Sequence, residues 1–198
     1  MPLPTHWATP EDFATLFQYF WHKDFPIDQR STGARRTDWT IHIGVIVRSI
    51  ADLMGLVTRF EAGGRKDAVL RGTEGDEVAI EWEWEGVWKA NELQKLRTHK
   101  CWSPTKDPNK LLKYAVLITY THSPNITKVC EHVKNEWEGA HWPLMLVLID
   151  LEESKEYYSG KEFKGLHMFI CNTGECTKLR ETSAFPWDVE GTKWYANI

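Results

Sequence analysis

The segment Glu77-Val78-Ala79-Ile80-Glu81-Trp82-Glu83-Trp84-Glu85 constrains this chain more than any other. Val78, Ile80, Trp82 and Trp84 alternate with Glu77, Glu81, Glu83 and Glu85 around Ala79, a period of two that fits a strand and not a helix. One face is apolar and the other acidic. The short run Asp67–Arg71 precedes it, and Gly72-Thr73-Glu74-Gly75-Asp76 between them reads as the turn of a hairpin. In a regular antiparallel hairpin centred on Glu74, Arg71 faces Glu77 and Asp67 faces Glu81, with Glu83 the diagonal neighbour of Asp67. Opposed Cβ atoms on one face lie roughly 4.5–5.5 Å apart. The pattern therefore predicts three converging carboxylates, Asp67, Glu81 and Glu83.

Three carboxylates that close cannot all stay ionised without compensation: one must protonate, or a cation must sit among them. Hard oxygen donors suit Mg²⁺ or Mn²⁺. The plainer alternative is the wet face of an ordinary antiparallel sheet. Against it, the stretch Gly72–Trp88 holds six acids and no Lys or Arg, where a solvated face usually mixes signs. The chain as a whole has 24 Lys and Arg against 28 Asp and Glu, a formal charge of −4. That balance excludes a strongly basic, non-specific polyanion binder, and 42% hydrophobic residues exclude a disordered chain.

The remaining elements follow from period and capping. Thr9 and Pro10 start a helix whose stripe is Phe13, Leu16, Phe17, Phe20 and Trp21. A polar loop follows to Arg36. A second helix spans about Trp39–Val57, capped by Thr37 or Asp38, with Ile43, Ile46, Val47, Ile50, Leu53, Met54 and Val57 inward. Thr58–Ala62 reads as a strand, and Val87–Lys100 as a short helix after the hairpin. Tyr114–Thr121 and Leu144–Leu151 read as strands flanking a helix that starts at Ser123-Pro124-Asn125, which implies a parallel pair. A late hairpin closes around Asn172-Thr173-Gly174.

The run Arg65-Lys66-Asp67-Ala68-Val69-Leu70, the glycine-containing turn, and Val78-Ala79-Ile80-Glu81-Trp82-Glu83 together resemble the PD-(D/E)xK nuclease superfamily. So does the order helix, strands, hairpin, helix, strand, helix, strand, over roughly residues 39–151. The resemblance implies an α/β fold with a restriction-endonuclease-like core, a central mixed β-sheet flanked by helices, in one domain over 1–198. It implies that Asp67 and Glu81 are catalytic and metal-binding, with Glu83 in the place usually held by lysine, as in some type II restriction enzymes. Lys66 replaces the motif proline. The missing lysine has a candidate substitute in Lys95, which shares a helical face with Asn91 and His99 by spacing; pairing with Glu92 is its ordinary alternative.

Seven basic residues against two acids fall between Lys89 and Lys113. Lys89, Arg97, Lys100, Lys106 and Lys110, with Arg35 and Arg36 of the early loop, are candidate phosphate contacts. Trp88 and Trp102 border this segment, with packing in a core the ordinary reading and stacking on bases the other.

The expected function is a Mg²⁺- or Mn²⁺-dependent DNA endonuclease, in restriction, defence or repair, possible as a homodimer. The alternative is a module that kept the fold and lost catalysis. A glycosidase fits poorly, because the tryptophans of the acidic strand point away from its glutamates. No basic run precedes an apolar segment at the N-terminus and no stretch is long enough to span a membrane. Four scattered cysteines without a CxxC pair suit reduced thiols, so the expected compartment is the cytoplasm.

Overall fold

A computed structural model describes residues 8–25, 36–84, 86–88, 91–153, 160–192 and 195. Helix α1 (Pro10–Lys23) opens on a capping box: Thr9 accepts from the Asp12 amide, and the Asp12 side chain accepts from the Thr9 amide. Helix α2 is Arg36–Leu53. Strands β1 (Val57–Ala62), β2 (Lys66–Gly72) and β3 (Gly75–Glu83) follow, then α3 (Glu92–Arg97) and β4 (Tyr114–Thr121). A single 3₁₀ turn, Ser123–Asn125, leads into α4 (Ile126–Glu136). The chain continues through β5 (Leu144–Glu153), β6 (Lys161–Asn172) and β7 (Glu175–Ser183).

The seven strands form one sheet in chain order. β1, β2 and β3 are antiparallel, β3–β4 and β4–β5 are parallel, and β5–β6–β7 are antiparallel again. Each parallel step carries a helix, α3 or α4, in the crossover that returns the chain to the end of the sheet where the previous strand began. Helices α1 and α2 cover one face, where Phe13, Trp21, Trp39, Ile43 and Ile50 pack with Leu70, Ile80, Val116 and Val147. Helices α3 and α4 cover the other, where Leu96, Val133 and Trp137 pack with Ala79, Leu117 and Leu146. Every residue of β4 is buried, which is why that strand reads as an apolar run and not as an alternation. The fold is α/β, a seven-stranded mixed sheet flanked by helices.

Several expectations need correction. Helix α2 starts earlier than Trp39 and stops at Leu53, so Leu53 is exposed and Val57 belongs to β1. The helix expected over Val87–Lys100 shrinks to Glu92–Arg97. Beyond it, the buried acid Asp76 draws the chain inward by accepting from His99 Nε2 (3.2 Å) and the Trp102 amide (2.8 Å). Asn91 is therefore the residue before the helix and His99 lies past its end, so the three-residue face with Lys95 does not form.

The hairpin register is the mirror about Glu74 at Ala68–Ile80, Val69–Ala79 and Leu70–Val78, as expected. A bulge after Leu70 then shifts it, so that Arg71 opposes Asp76 and not Glu77. Gly75, at φ +120°, makes this turn possible: a Cβ there would lie 2.2 Å from the Trp102 carbonyl oxygen.

Cys171 and Cys176 oppose each other across the β6–β7 turn and are joined by a disulfide, with Cys101 and Cys130 free. This overturns the expectation of four reduced thiols. Trp82 and Trp84 pack against the core as expected, whereas Trp88 and Trp102 are about half exposed. No described helix is long and apolar enough to cross a membrane.

Candidate active site

The backbone pairing of β2 with β3 stops at Ala68–Ile80, and the next residues of the two strands are tied by side chains instead. The Trp82 amide donates to Asp67 Oδ2 at 2.7 Å, and the Asp67 amide donates to Glu81 Oε2 at 3.2 Å. Each carboxylate thus spends one oxygen on the neighbouring strand's backbone. Asp67 and Glu81 are brought together as the hairpin arithmetic requires.

Glu81 is 1% exposed. Its second oxygen, Oε1, is buried without a hydrogen-bond partner among the described residues. The Lys95 ammonium stands 3.8 Å away, beyond bonding reach. Burial, then the nearby charges of Glu92 and Asp67, push the Glu81 carboxyl up to about 9. Burial also raises Asp67, against the opposing pull of its bonds to Trp82 and Glu81. Both shifts disfavour the charged carboxyl, a cost that a cation between the two groups would relieve.

Lys95 donates to Glu92 Oε1 at 2.9 Å and lies 2.6 Å from Oε2. Burial works against its charge, but Glu92, Glu81 and Asp67 outweigh it and hold the ammonium above its usual range. The ordinary alternative for Lys95, pairing with Glu92, is thus realised, and the pairing sets its ammonium beside Glu81. Lys66, 4% exposed, donates to the Gly63 carbonyl at 3.0 Å. Burial lowers it, partly offset by Glu81 and Glu92.

These groups surround a recess of about 230 Å³ lined by Arg36, Thr40 and Ile43 of α2, Asp67 of β2, Glu81–Trp84, Glu92 and Lys95 of α3, and Tyr120 of β4. Five sequence candidates meet there: Arg36, Asp67, Glu81, Glu83 and Lys95. Glu83 lines the recess, but among the described residues no group of three or more His, Cys, Asp or Glu side chains is arranged to hold a metal ion. Asp67, Glu81 and Glu83 all line the recess, with Asp67 and Glu81 joined directly by a hydrogen bond. Sequence reasoning used Glu92 only as a partner for Lys95 and missed it as an acid of the recess. The i,i+3 spacing of Glu92 and Lys95 is the available signal.

The other basic candidates lie elsewhere. Arg97 donates to the Glu136 and Glu138 carbonyls at 2.8 and 2.7 Å, capping the end of α4. Lys100 and Lys106 are exposed, and Lys110 is half-buried, on the loop between α3 and β4. Because β4 runs parallel to β3, that loop returns to the starting end of β3, where the Trp102 carbonyl accepts from the Asp76 amide. The basic loop is therefore at the opposite end of the strand from the acids, not beside them. Arg35 and Lys89 lie outside the described residues.

No protein-family model matches the chain, and no curated protein matches it.

Proposed function

We propose that this recess is the active site of a metal-dependent endonuclease with a restriction-endonuclease-like core, hydrolysing phosphodiester bonds in DNA. The observation that carries the reading is the Asp67–Glu81 pair, cross-bonded through backbone amides, with Glu81 buried and its Oε1 unsatisfied among the described residues. The donor set fits Mg²⁺ or Mn²⁺, since such ions use one or two carboxylates and keep several waters, with phosphate completing the shell. Asp67 and Glu81 would hold the ion. Once bound, it supplies an activated water and neutralises charge on the phosphodiester.

The protein's own residues supply the rest. The reciprocal amide bonds of Asp67 and Glu81 fix both carboxylates before any ligand arrives. Lys95, held by Glu92, places a positive charge 3.8 Å from Glu81 and is suited to oppose charge developing on a phosphate. Arg36, at the start of α2, adds a second cation for the backbone of the strand. Glu83, on the recess wall, positions water. Three antiparallel strands, a helix and a parallel strand, with the acids on β2 and β3, support the resemblance in element order.

The test is cleavage of supercoiled plasmid with Mg²⁺ or Mn²⁺. Cleavage by the wild type and none by Asp67→Ala or Glu81→Ala is expected; no cleavage with either ion on any nucleic acid overturns the reading. The second reading, a nucleic-acid-binding module without catalysis, draws on one observation. Lys95 is engaged by Glu92, which leaves the missing motif lysine without a free replacement.

A further inference from the structure

A second recess adjoins the first and shares its Trp84 and Tyr120. It lies outside the carboxyl ends of the parallel strands β3, β4 and β5, where ligands of open α/β sheets commonly bind. About 300 Å³ in size, it is suited to one base with its sugar and too small for a base pair. Three of its lining residues, Trp84, Trp88 and Tyr120, are aromatic. Trp84 packs against Tyr120 with ring centroids 4.2 Å apart. Trp88, 54% exposed, lies tilted on the ring of His132 at 4.6 Å.

The rest of the lining is largely polar. His122 donates from Nδ1 to the Leu151 carbonyl at 2.8 Å, which leaves Nε2 for a ligand. Asn125 brings an amide with both donor and acceptor, and Lys161 holds its ammonium 5.8 Å from the centre of the Trp84 ring. Aromatic faces, a donor–acceptor edge and one cation are what an unpaired nucleobase and its phosphate require. A base in a duplex offers no free face for such stacking.

We infer that this aromatic recess binds an unpaired nucleobase, so that the enzyme's substrate is single-stranded or locally opened nucleic acid. The inference rests on the nuclease reading, because the wall formed by Trp84 and Tyr120 then sets the phosphate next to the held base against Asp67 and Glu81. Trp88 and Trp84 supply the stacking surface. His122 and Asn125 read the base edge, and Lys161 meets the phosphate.

The test is equilibrium binding by fluorescence anisotropy, with the full chain in EDTA so that no cleavage occurs. The probes are a labelled 12-mer of oligothymidylate, its oligouridylate counterpart, an abasic strand of equal length and a blunt duplex. One of the two base-bearing strands is expected to bind about tenfold or more tightly than the abasic strand, and more tightly than the duplex. Trp88→Ala is expected to bring it down to the abasic level, with Trp88→Phe keeping most of the affinity. Asn125→Ala, which removes no ring, is expected to change the order of preference among homopolymers. Equal binding of the abasic strand, equal or tighter binding of the duplex, or an unchanged affinity in Trp88→Ala overturns the inference. The two readings fail separately. Trp88-dependent strand binding without metal-dependent cleavage retains the base site and removes the nuclease, and Asp67-dependent cleavage with affinity indifferent to Trp88 does the reverse.

Discussion

Strand β3 carries two fully buried carboxylates about 17 Å apart, and their surroundings are opposites. Asp76, at its start, is completely satisfied. Arg71 Nε donates to Oδ1 at 2.8 Å, and His99 Nε2 and the Trp102 amide both donate to Oδ2. Arg71 also lies over the Trp102 ring at 4.0 Å. Burial opposes the charge of Asp76, yet these bonds outweigh it and hold the carboxyl below its usual range. Glu81, near the other end, has one backbone donor, an orphan oxygen and two acidic neighbours, and is pushed up to about 9. A buried acid with all its donors present organises structure; a buried acid with an unsatisfied oxygen and a raised pKa is a candidate functional group.

The sharpest way to break this contrast is to remove the satisfied member. Asp76→Ala leaves Arg71, His99 and the Trp102 amide without their acceptor and is expected to cost about 3–5 kcal/mol, read as a fall of roughly 10 °C in Tm. If Tm falls by less than a few degrees, the cluster is not the anchor of the loop after α3.

Glu81→Gln should do the opposite. It removes a strained ionisation while keeping the shape, so Tm at pH 8 is expected to stay level or rise as cleavage falls at least about 100-fold. The pH dependence carries the sign. The folded carboxyl of Glu81 sits at about 9 against an ordinary 4.5, so its contribution is fully present below 4.5 and is lost as pH rises through about 9. Asp76 is shifted downward, so its contribution is present above its ordinary value and is lost as pH falls through the lowered one. Thermal melts of the metal-free protein between pH 7 and 9, above the range in which the lowered histidines His22, His42 and His167 titrate, should therefore slope downward in the wild type and flatten in Glu81→Gln. An unchanged slope assigns the titration elsewhere.

Lys95→Met sharpens the comparison by withdrawing the cation nearest Glu81. A rate loss of about 100-fold is expected, with folding intact, since the side chain is more than a third exposed. Titration with Mg²⁺ provides the next check: the ion should raise Tm in the wild type by mass action and leave Asp67→Asn unmoved. The smallest effect is expected at the far end. Lys106→Ala, on the loop returning to the start of β3, should leave the cleavage rate within about twofold, and a tenfold loss would place that loop on the substrate.

Much of the central sheet was legible because local rules and tertiary environment agree there. The run Tyr114–Thr121 is observed as a strand with the expected bounds, and α1 starts where Thr9, Pro10 and Asp12 place it. The facing of Asp67 and Glu81 followed from the turn and a period of two. What failed depended on partners distant in sequence. The helix after the hairpin stops at Arg97 because Asp76 captures His99 and Trp102, more than twenty residues along the chain. Arg97 looked like a phosphate contact in a basic run, but it caps a helix nearly forty residues away. Trp88 and Trp102 looked like core and are half exposed, because hydrophobicity does not say which side of the sheet edge a loop residue occupies.

By itself the sequence determined the hairpin, the α/β alternation and the pairing of Asp67 with Glu81, since turn residues and periodicity act over a few positions. Only the tertiary structure decided which charges meet. The parallel return from β3 to β4 carried the basic loop to the far end of the strand. The start of α2 brought Arg36 to the recess of the acids, and the ends of β3, β4 and β5 brought the residues of the two adjoining recesses together. Electrostatic partners are set by where crossovers and strand ends fall in space, and no local pattern encodes that.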